Sequence, residues 1–365
     1  MIYDIAIIGA GCAGLSLAYQ LTKKKNSNQK IIILDNKQFF TKDRTWSFWK
    51  TNKHDFEDCL DKQWSRFNIK FNNKKKIFES LKYPYQTINS LKFYKKIQQS
   101  LTDNFELKLN TKIKKIQQTS NYFEIFSKNE VIKSKFIFDS RVPKLNFKKL
   151  YQHFFGIEIQ TDKDFFDSEE VSLMDFDCDQ KHGVHFFYIL PFSKRKALIE
   201  TTWLSKLNNL EKKKYVDEIK NYIEKKLKLK RYHIIREEIG AIPMFRKKNE
   251  NKKGYINIGL RGNINRMSTG YTFPYIQKHS EFIARSIKNF KINSPISQKY
   301  EFLDTLFIKV LQNNTKIMPS VFFKIFDENN QDSVIRFLSS NSSFYDDLKV
   351  MSKIPKLIFL KQMFN

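Results

Sequence analysis

The sequence predicts an α/β fold: a Rossmann-like dinucleotide-binding domain, an antiparallel-sheet substrate domain and a helical C-terminus. Three observations predict it. Near the N-terminus, "YDIAIIGAGCAGLSLAYQLTKK" reads as a strand, a glycine-rich turn and a helix. In the middle of the chain, short alternating apolar segments recur between turn residues, as a half-buried antiparallel sheet requires. Beyond Pro295 the chain becomes a series of helical runs rich in Phe, Leu, Ile and Lys.

The first element is a strand over Asp4–Ile8. Gly9, Gly11 and Gly14 follow in G-x-G-x-x-G spacing, with Ala10, Cys12 and Ala13 between them. The first glycine allows the turn, the second lets the backbone approach a pyrophosphate, and the third lets helix and strand pack closely. The N-terminus of the following helix then faces the phosphates. A second apolar strand, "KIIILD", ends in Asp35, where an acid hydrogen-bonds a ribose.

Residues 84–100 read as a helix, and 105–138 as a small antiparallel meander. Asp139, Ser140 and Arg141 end a strand that returns to the nucleotide sheet. "YQHFFGIEIQ" reads as a strand broken by Gly156, followed by "VSLMDFD". "HGVHFFYILPFSKRKALIETTWL" reads as a hairpin turning at Ser193–Lys196, and "RYHIIREEIGAIPMF" as a further strand and turn. Downstream come a strand at Tyr255–Ile258, a loop bearing Gly259, Gly262 and Gly270, and a helix to about Ile287. The expected division is a discontinuous nucleotide domain at 1–150 and 255–290, an antiparallel substrate domain at 151–254, and a helical region at 291–365.

The 365 residues include 41% hydrophobic residues, enough for a sizeable core, so global disorder is not expected. The formal charge of +28 comes from 66 basic residues, of which only 11 are Arg. Nucleic-acid readers cluster their cations and favour the bidentate guanidinium. Here the short runs Lys23–Lys25, Lys74–Lys76 and Lys212–Lys214 are scattered along the chain, so no nucleic-acid partner is expected. Attraction to an anionic membrane surface fits the charge. Cys12, Cys59 and Cys178 show no metal-ligand spacing, and no disulfide framework is expected. His153, His182 and His185 form no recognisable metal or triad pattern. No apolar run reaches the ~20 residues of a membrane span, and no signal peptide is expected.

One carboxylate stands apart. "KALIETTWLSK" sets Glu200 directly after Leu198 and Ile199, next to the apolar "HFFYILPFS". Burying an unpaired carboxylate is costly unless its pKa rises and it stays neutral. Glu200 is therefore the leading candidate acid. Glu237 and Glu238, in "REEIGAIP", are further candidates, and Arg236 beside them fits a salt bridge to at least one.

The N-terminal fingerprint and the late strand–loop–helix together resemble the FAD-binding flavoproteins of the glutathione-reductase and hydroxylase type. The acid such proteins carry after the strand glycine is absent, because Leu260 and Arg261 follow Gly259. The ordered set "DRTWSFW", "FDSR", "YQHFFGIEI", "VSLMDFD", "ALIETTWLS", "REEIGAIPM" and "GLRGNINRMSTGYTF" resembles more narrowly the lycopene cyclases, flavoproteins of carotenoid synthesis.

This resemblance implies a redox-neutral cyclisation of a linear carotene such as lycopene, with reduced FAD as cofactor and NAD(P)H as its reductant. A proton reaches the terminal double bond, a neighbouring double bond attacks the cation, and loss of a ring proton yields a β-ionone ring. Glu200 aligns with the family's acid in this motif; an electrostatic role beside reduced flavin is the alternative. Arg44, Thr45 and Trp46 resemble the segment passing the flavin ring, and Asp139 and Arg141 a loop near it. Phe186, Phe187, Tyr188, Trp203 and Tyr271 are candidate cation-facing aromatics, while Trp46 and Trp49 fit core positions equally. A peripheral position on the cytoplasmic side of a bacterial inner membrane is expected, with other carotenoid-pathway enzymes as candidate partners. The rival reading is an FAD-dependent monooxygenase or isoprenoid reductase that consumes NAD(P)H.

Overall fold

Ile5, Ile7, Ile31, Ile32, Ile33 and Leu34 are all buried, and unbroken apolar runs of this kind belong to strands covered on both faces. In the computed structural model, which describes residues 1–24, 28–207, 212–248, 250–286 and 294–363, Ile2–Ile8 is the centre of a parallel sheet. Ile31–Leu34 flanks it on one side and Val131–Asp139 on the other. Phe105–Lys108 extends the sheet past Ile31–Leu34, and Tyr255–Asn257 adds a parallel strand along the end of Val131–Asp139. Lys115–Gln118 and Phe123–Phe126 complete the seven strands as an antiparallel meander. Helices Cys12–Thr22, Ser90–Ser100 and Phe273–Ser286 bury Leu15, Phe93 and Phe273 in one core beside this sheet.

Above it lies a second seven-stranded sheet. Its spatial order is Tyr232–Pro243, Leu150–Thr161, Lys196–Lys206, Val184–Ser193, Glu170–Asp175, Arg66–Phe71 and Lys74–Glu79. All neighbours are antiparallel except Glu170–Asp175 beside Arg66–Phe71. The last two strands lie before residue 150, so this sheet draws chain from both sides of the expected boundary. A third sheet of Thr45–Trp49, Tyr85–Asn89 and Leu60–Trp64 joins the two layers.

Three expectations need correction. The segment 84–100 is a strand, Tyr85–Asn89, followed by a helix, Ser90–Ser100. Asn89 makes the switch, because its side chain caps the helix by accepting from the Lys92 amide at 3.0 Å. Phe105–Lys108 belongs to the parallel sheet and not to the meander. Gly156 breaks nothing, since Leu150–Thr161 is one continuous strand. The expected helix end at Ile287, like Lys25 and the boundary at 290–291, lies outside the described residues.

Helices Gln298–Asn313, Met318–Asp327, Gln331–Leu338, Phe344–Ser352 and Lys356–Met363 cover the open face of the second sheet. A buried ion pair ties them to the nucleotide side. Arg266, in the glycine-bearing loop, meets Asp304 at 2.7 Å, and both side chains are 1% exposed. Arg266 is further held by Ser340 and by the face of Tyr300. Among the described residues, no helix is long and apolar enough to cross a membrane.

Candidate active site

Side chains alternate along a strand, so the parity of a residue decides which face it serves. Leu198, Glu200, Thr202 and Leu204 point into one large cavity between the two sheets. Ile199 and Trp203 point the other way, into a core formed with Tyr215 and Ile219. Across the sheet, Tyr188 and Gly156 lie opposite Glu200 on its two neighbouring strands, and Glu238 lies opposite Gly156 on the next. Tyr188, Glu200, Gly156 and Glu238 therefore form one row on the cavity face.

Glu200 is 9% exposed and takes a hydrogen bond from the Thr202 hydroxyl at 2.7 Å. Burial first, and then the negative charge of Glu238, push its carboxyl up to about 8, against the opposing pulls of Thr202 and Arg236. Glu238 is held differently. Arg236 Nη1 reaches one of its oxygens at 2.7 Å, and the Thr45 hydroxyl donates to the same oxygen at 2.8 Å. The same guanidinium reaches back to Glu158 at 2.6 Å, where Lys196 and Lys42 also converge. Burial opposes ionisation of Glu158, yet Lys196, Lys42 and Arg236 hold it down at about 2. Two buried carboxyls thus share one face, with the cations gathered on the Glu238 side.

Glu237 is not part of this arrangement. It is adjacent to Glu238 and so faces the other way, half-exposed and paired with Lys212. The salt bridge expected from Arg236 goes to Glu238. Among the aromatic candidates, Phe186, Tyr188 and Tyr271 line the cavity, whereas Phe187 and Trp203 belong to the core behind the sheet. Parity relative to Glu200 separates these within the hairpin. Tyr85, Trp49 and Phe326 also line the cavity: Tyr188 and Tyr85 share a 2.8 Å hydroxyl contact, and the Tyr85–Trp49 and Trp49–Phe326 ring centroids lie 5.2 and 6.2 Å apart. Tyr85 and Phe326 were not expected from sequence, because their places depend on distant chain meeting in space.

The same cavity reaches the glycine turn. Gly9, Gly11, Cys12, Ala13, Asp35, Arg44, Gly259 and Gly270 border it, together with Thr45 and Trp46. Gly14 is packed away from it: a Cβ there would sit 1.8 Å from the Gly9 carbonyl oxygen. Gly262 likewise turns the chain against the Asn257 carbonyl without facing the cavity. Gly11 differs from both. Its φ is −91°, and a Cβ there would meet no atom within 4 Å. Neither backbone conformation nor protein packing requires glycine at this position; the space it keeps open belongs to the cavity. Helix Cys12–Thr22 starts there with no side-chain cap, leaving amides free for an anionic group.

Asp35 lies at the end of its strand as expected, accepting from the Ala10 amide at 2.5 Å and the Lys37 amide at 2.7 Å. Each of its oxygens keeps a second lone pair for a ligand hydroxyl. Arg44 donates to the Ile239 carbonyl, linking the nucleotide edge to the Glu238 strand. No acid directly follows Gly259. Asp139 on the neighbouring strand is buried outside the cavity lining. It pairs with Arg141 at 2.7 Å and Arg261 at 3.3 Å, which places Arg141 at the cavity edge. These residues fit a dinucleotide. The cavity of about 1470 Å³ exceeds the ~300–1,000 Å³ of a single small-molecule site, so it has room for a dinucleotide and a second ligand. Among the described residues, no cluster could hold a metal ion.

Solved structures share this fold. A geranylgeranyl bacteriochlorophyll reductase-like protein from Thermoplasma acidophilum matches with a TM-score of 0.67 and 13% identity, over 99% of this chain and 98% of that one. A flavin-dependent brominase matches with a TM-score of 0.67 and 14% identity, over 100% and 98%. At these identities the likeness shows the Rossmann-like α/β fold of flavin-dependent enzymes and nothing finer. In sequence, the chain is 25% identical over 289 residues to the lycopene beta-cyclase of Pantoea ananas, covering 74% of this chain and 71% of that protein. It is 25% identical over 297 residues to a chloroplastic neoxanthin synthase of Solanum lycopersicum, of which it spans 57%. The lycopene cyclase protein family matches residues 4–363, and the chain belongs to that family.

Proposed function

We propose that this protein is a lycopene beta-cyclase, closing linear polyene ends into β-ionone rings with no net redox change. One observation carries the reading: the carboxyl of Glu200, buried and hydrogen-bonded to Thr202, faces the apolar cavity the family motif leads to, where burial pushes its pKa upward. Protonating an alkene needs a strong donor screened from water, and Glu200 meets both conditions. Tyr188, Tyr85 and Trp49 offer ring faces, each worth ~0.5–2 kcal/mol to a nearby cation. Gly9, Gly11, Asp35, Gly259 and Gly270 would hold FAD. Bound there in its reduced form, FAD supplies an electron-rich ring system, with NAD(P)H as its reductant.

The substrate is a water-insoluble hydrocarbon, so we place the enzyme peripherally on the cytoplasmic face of a bacterial inner membrane. Leu348, Leu360 and Met363 support this placement, being both exposed and part of the cavity lining, with Leu357 83% exposed beside them. Expression in cells that accumulate lycopene, followed by pigment chromatography, tests the function. New β-ring carotenes are the expected result. An unchanged pigment with stoichiometric NAD(P)H oxidation would favour the monooxygenase or reductase reading.

A further inference from the structure

A cyclase that spends a proton at one carbon and releases one from another must return the proton to its acid before the next ring. The cavity face holds a second carboxylate placed for this task. Glu200 and Glu238 lie on strands separated only by Leu150–Thr161, and the residue opposite both is Gly156. A Cβ at Gly156 would lie 3.5 Å from Glu200 Cβ and 3.4 Å from Glu238 Cγ. Gly156 has no positive φ, so the backbone does not require glycine there. The missing side chain leaves the space between the two acids open. Glu238 is 4% exposed and fixed by Arg236 and Thr45. Its charge is one of the causes that keep Glu200 protonated.

We propose that Glu238 is the base that removes the ring proton, and that the gap at Gly156 lets this proton pass back to Glu200. The steps balance without an oxidant or reductant. Glu200 gives its proton to the terminal alkene carbon, forming a C–H bond and a tertiary cation. The neighbouring double bond closes the ring by forming a C–C bond. Glu238 takes a proton from the adjacent ring carbon, and that C–H pair becomes the ring double bond. Transfer from Glu238 to Glu200 across Gly156 restores the starting protonation. Arg236 and Thr45 are positioning residues, holding Glu238 on the cavity face. The inference rests on the cyclase reading of the same site.

The test uses full-length, FAD-reconstituted enzyme with lycopene delivered in liposomes, in heavy water. Wild-type enzyme is expected to place less than one deuterium in each ring formed, because the substrate proton taken by Glu238 returns to Glu200. A full deuterium in every ring would show that solvent and not Glu238 recharges the acid. In Glu238→Gln, ring formation is expected to fall by at least ~10²-fold, while recovered linear lycopene gains deuterium because protonation continues and reverses. A residue that merely supports the fold would lose both signals together. Gly156→Ala adds a methyl 3.1 Å from a terminal carbon of Leu198, a close contact that a flexible side chain can relieve. This variant is expected to form about one ring per enzyme in a burst and then slow. Glu238→Gln forming rings at the wild-type rate, or losing cyclisation and deuterium exchange together, overturns the inference. A wild-type enzyme that forms no rings overturns the functional reading, and this inference with it.

Discussion

A carboxylic acid protonates an alkene only if it remains protonated at working pH and if water does not take the proton first. Glu200 meets the first condition through burial and through the charge of Glu238, and the second through its apolar neighbours Leu198 and Phe186. Glu200→Gln keeps the shape of the side chain but removes the transferable proton. Cyclisation is therefore expected to fall by ~10²–10⁴-fold with flavin binding unchanged, measured by pigment yield and flavin absorbance. Glu200→Asp, one methylene shorter, should be badly impaired as well, because proton delivery depends on reach.

The pH dependence follows from the same carboxyl. Glu200 ionises as pH rises through about 8, so activity should fall on that alkaline limb. Its folded pKa lies above the ordinary 4.5, so its contribution to stability is full below that value and is lost as pH rises through about 8. The charged and titratable groups around it are Glu238, Arg236, Tyr188 and Tyr85. Glu238→Gln removes the second cause of the shift and leaves burial. The infrared band of the protonated carboxyl should then titrate at lower pH than in wild type, though still above an ordinary glutamate; an unmoved band would refute the coupling. Sequence singled out Glu200 because its flanking residues and motif are local. It could not choose between Glu237 and Glu238, since that choice depends on which of two adjacent residues faces the cavity.

At the scale of elements, the glycine turn separates folding from binding. Gly14 is fixed by the Gly9 carbonyl, so Gly14→Ala should lower the melting temperature sharply or prevent folding. Gly11 meets nothing in the protein, so Gly11→Val should fold normally and lose flavin, as flavin absorbance and thermal melting together can show. A Gly11→Val protein that retains flavin would overturn the assignment of this edge of the cavity. The turn and its flanking strand and helix were legible because all three lie within about twenty residues. The second sheet was legible only in part. Val184–Ser193 and Lys196–Lys206 form a local hairpin, and sequence marked its turn correctly. Arg66–Phe71 joins through parallel pairing with Glu170–Asp175, across a hundred residues of chain, and no local pattern announces such a partner. Gly156 shows the same limit: read along the chain it looks like a break, and only its two cross-strand neighbours show why it lacks a side chain.

Over the whole molecule, the Arg266–Asp304 pair makes the C-terminal helices part of the roof, since breaking a buried pair of this kind typically costs ~3–5 kcal/mol. The apolar rim on Phe344–Ser352 and Lys356–Met363 is therefore held at a fixed place beside the cavity. Two forces would seat that rim on a bilayer: burial of its exposed apolar side chains, and attraction of the chain's +28 formal charge to anionic headgroups. They respond differently to salt, which screens the charge over ~8–10 Å and leaves apolar burial intact. The protein should float with anionic liposomes, and added salt should weaken this association without abolishing it. Phe344 and Leu357 are 76% and 83% exposed and do not line the cavity, so replacing both with Glu tests the rim without altering the pocket. The double variant should stay folded and lose most of its flotation at moderate salt. Flotation equal to wild type would show that charge alone, spread over the surface, holds the protein to the liposome. Failure of the wild-type protein to float would remove the membrane placement altogether.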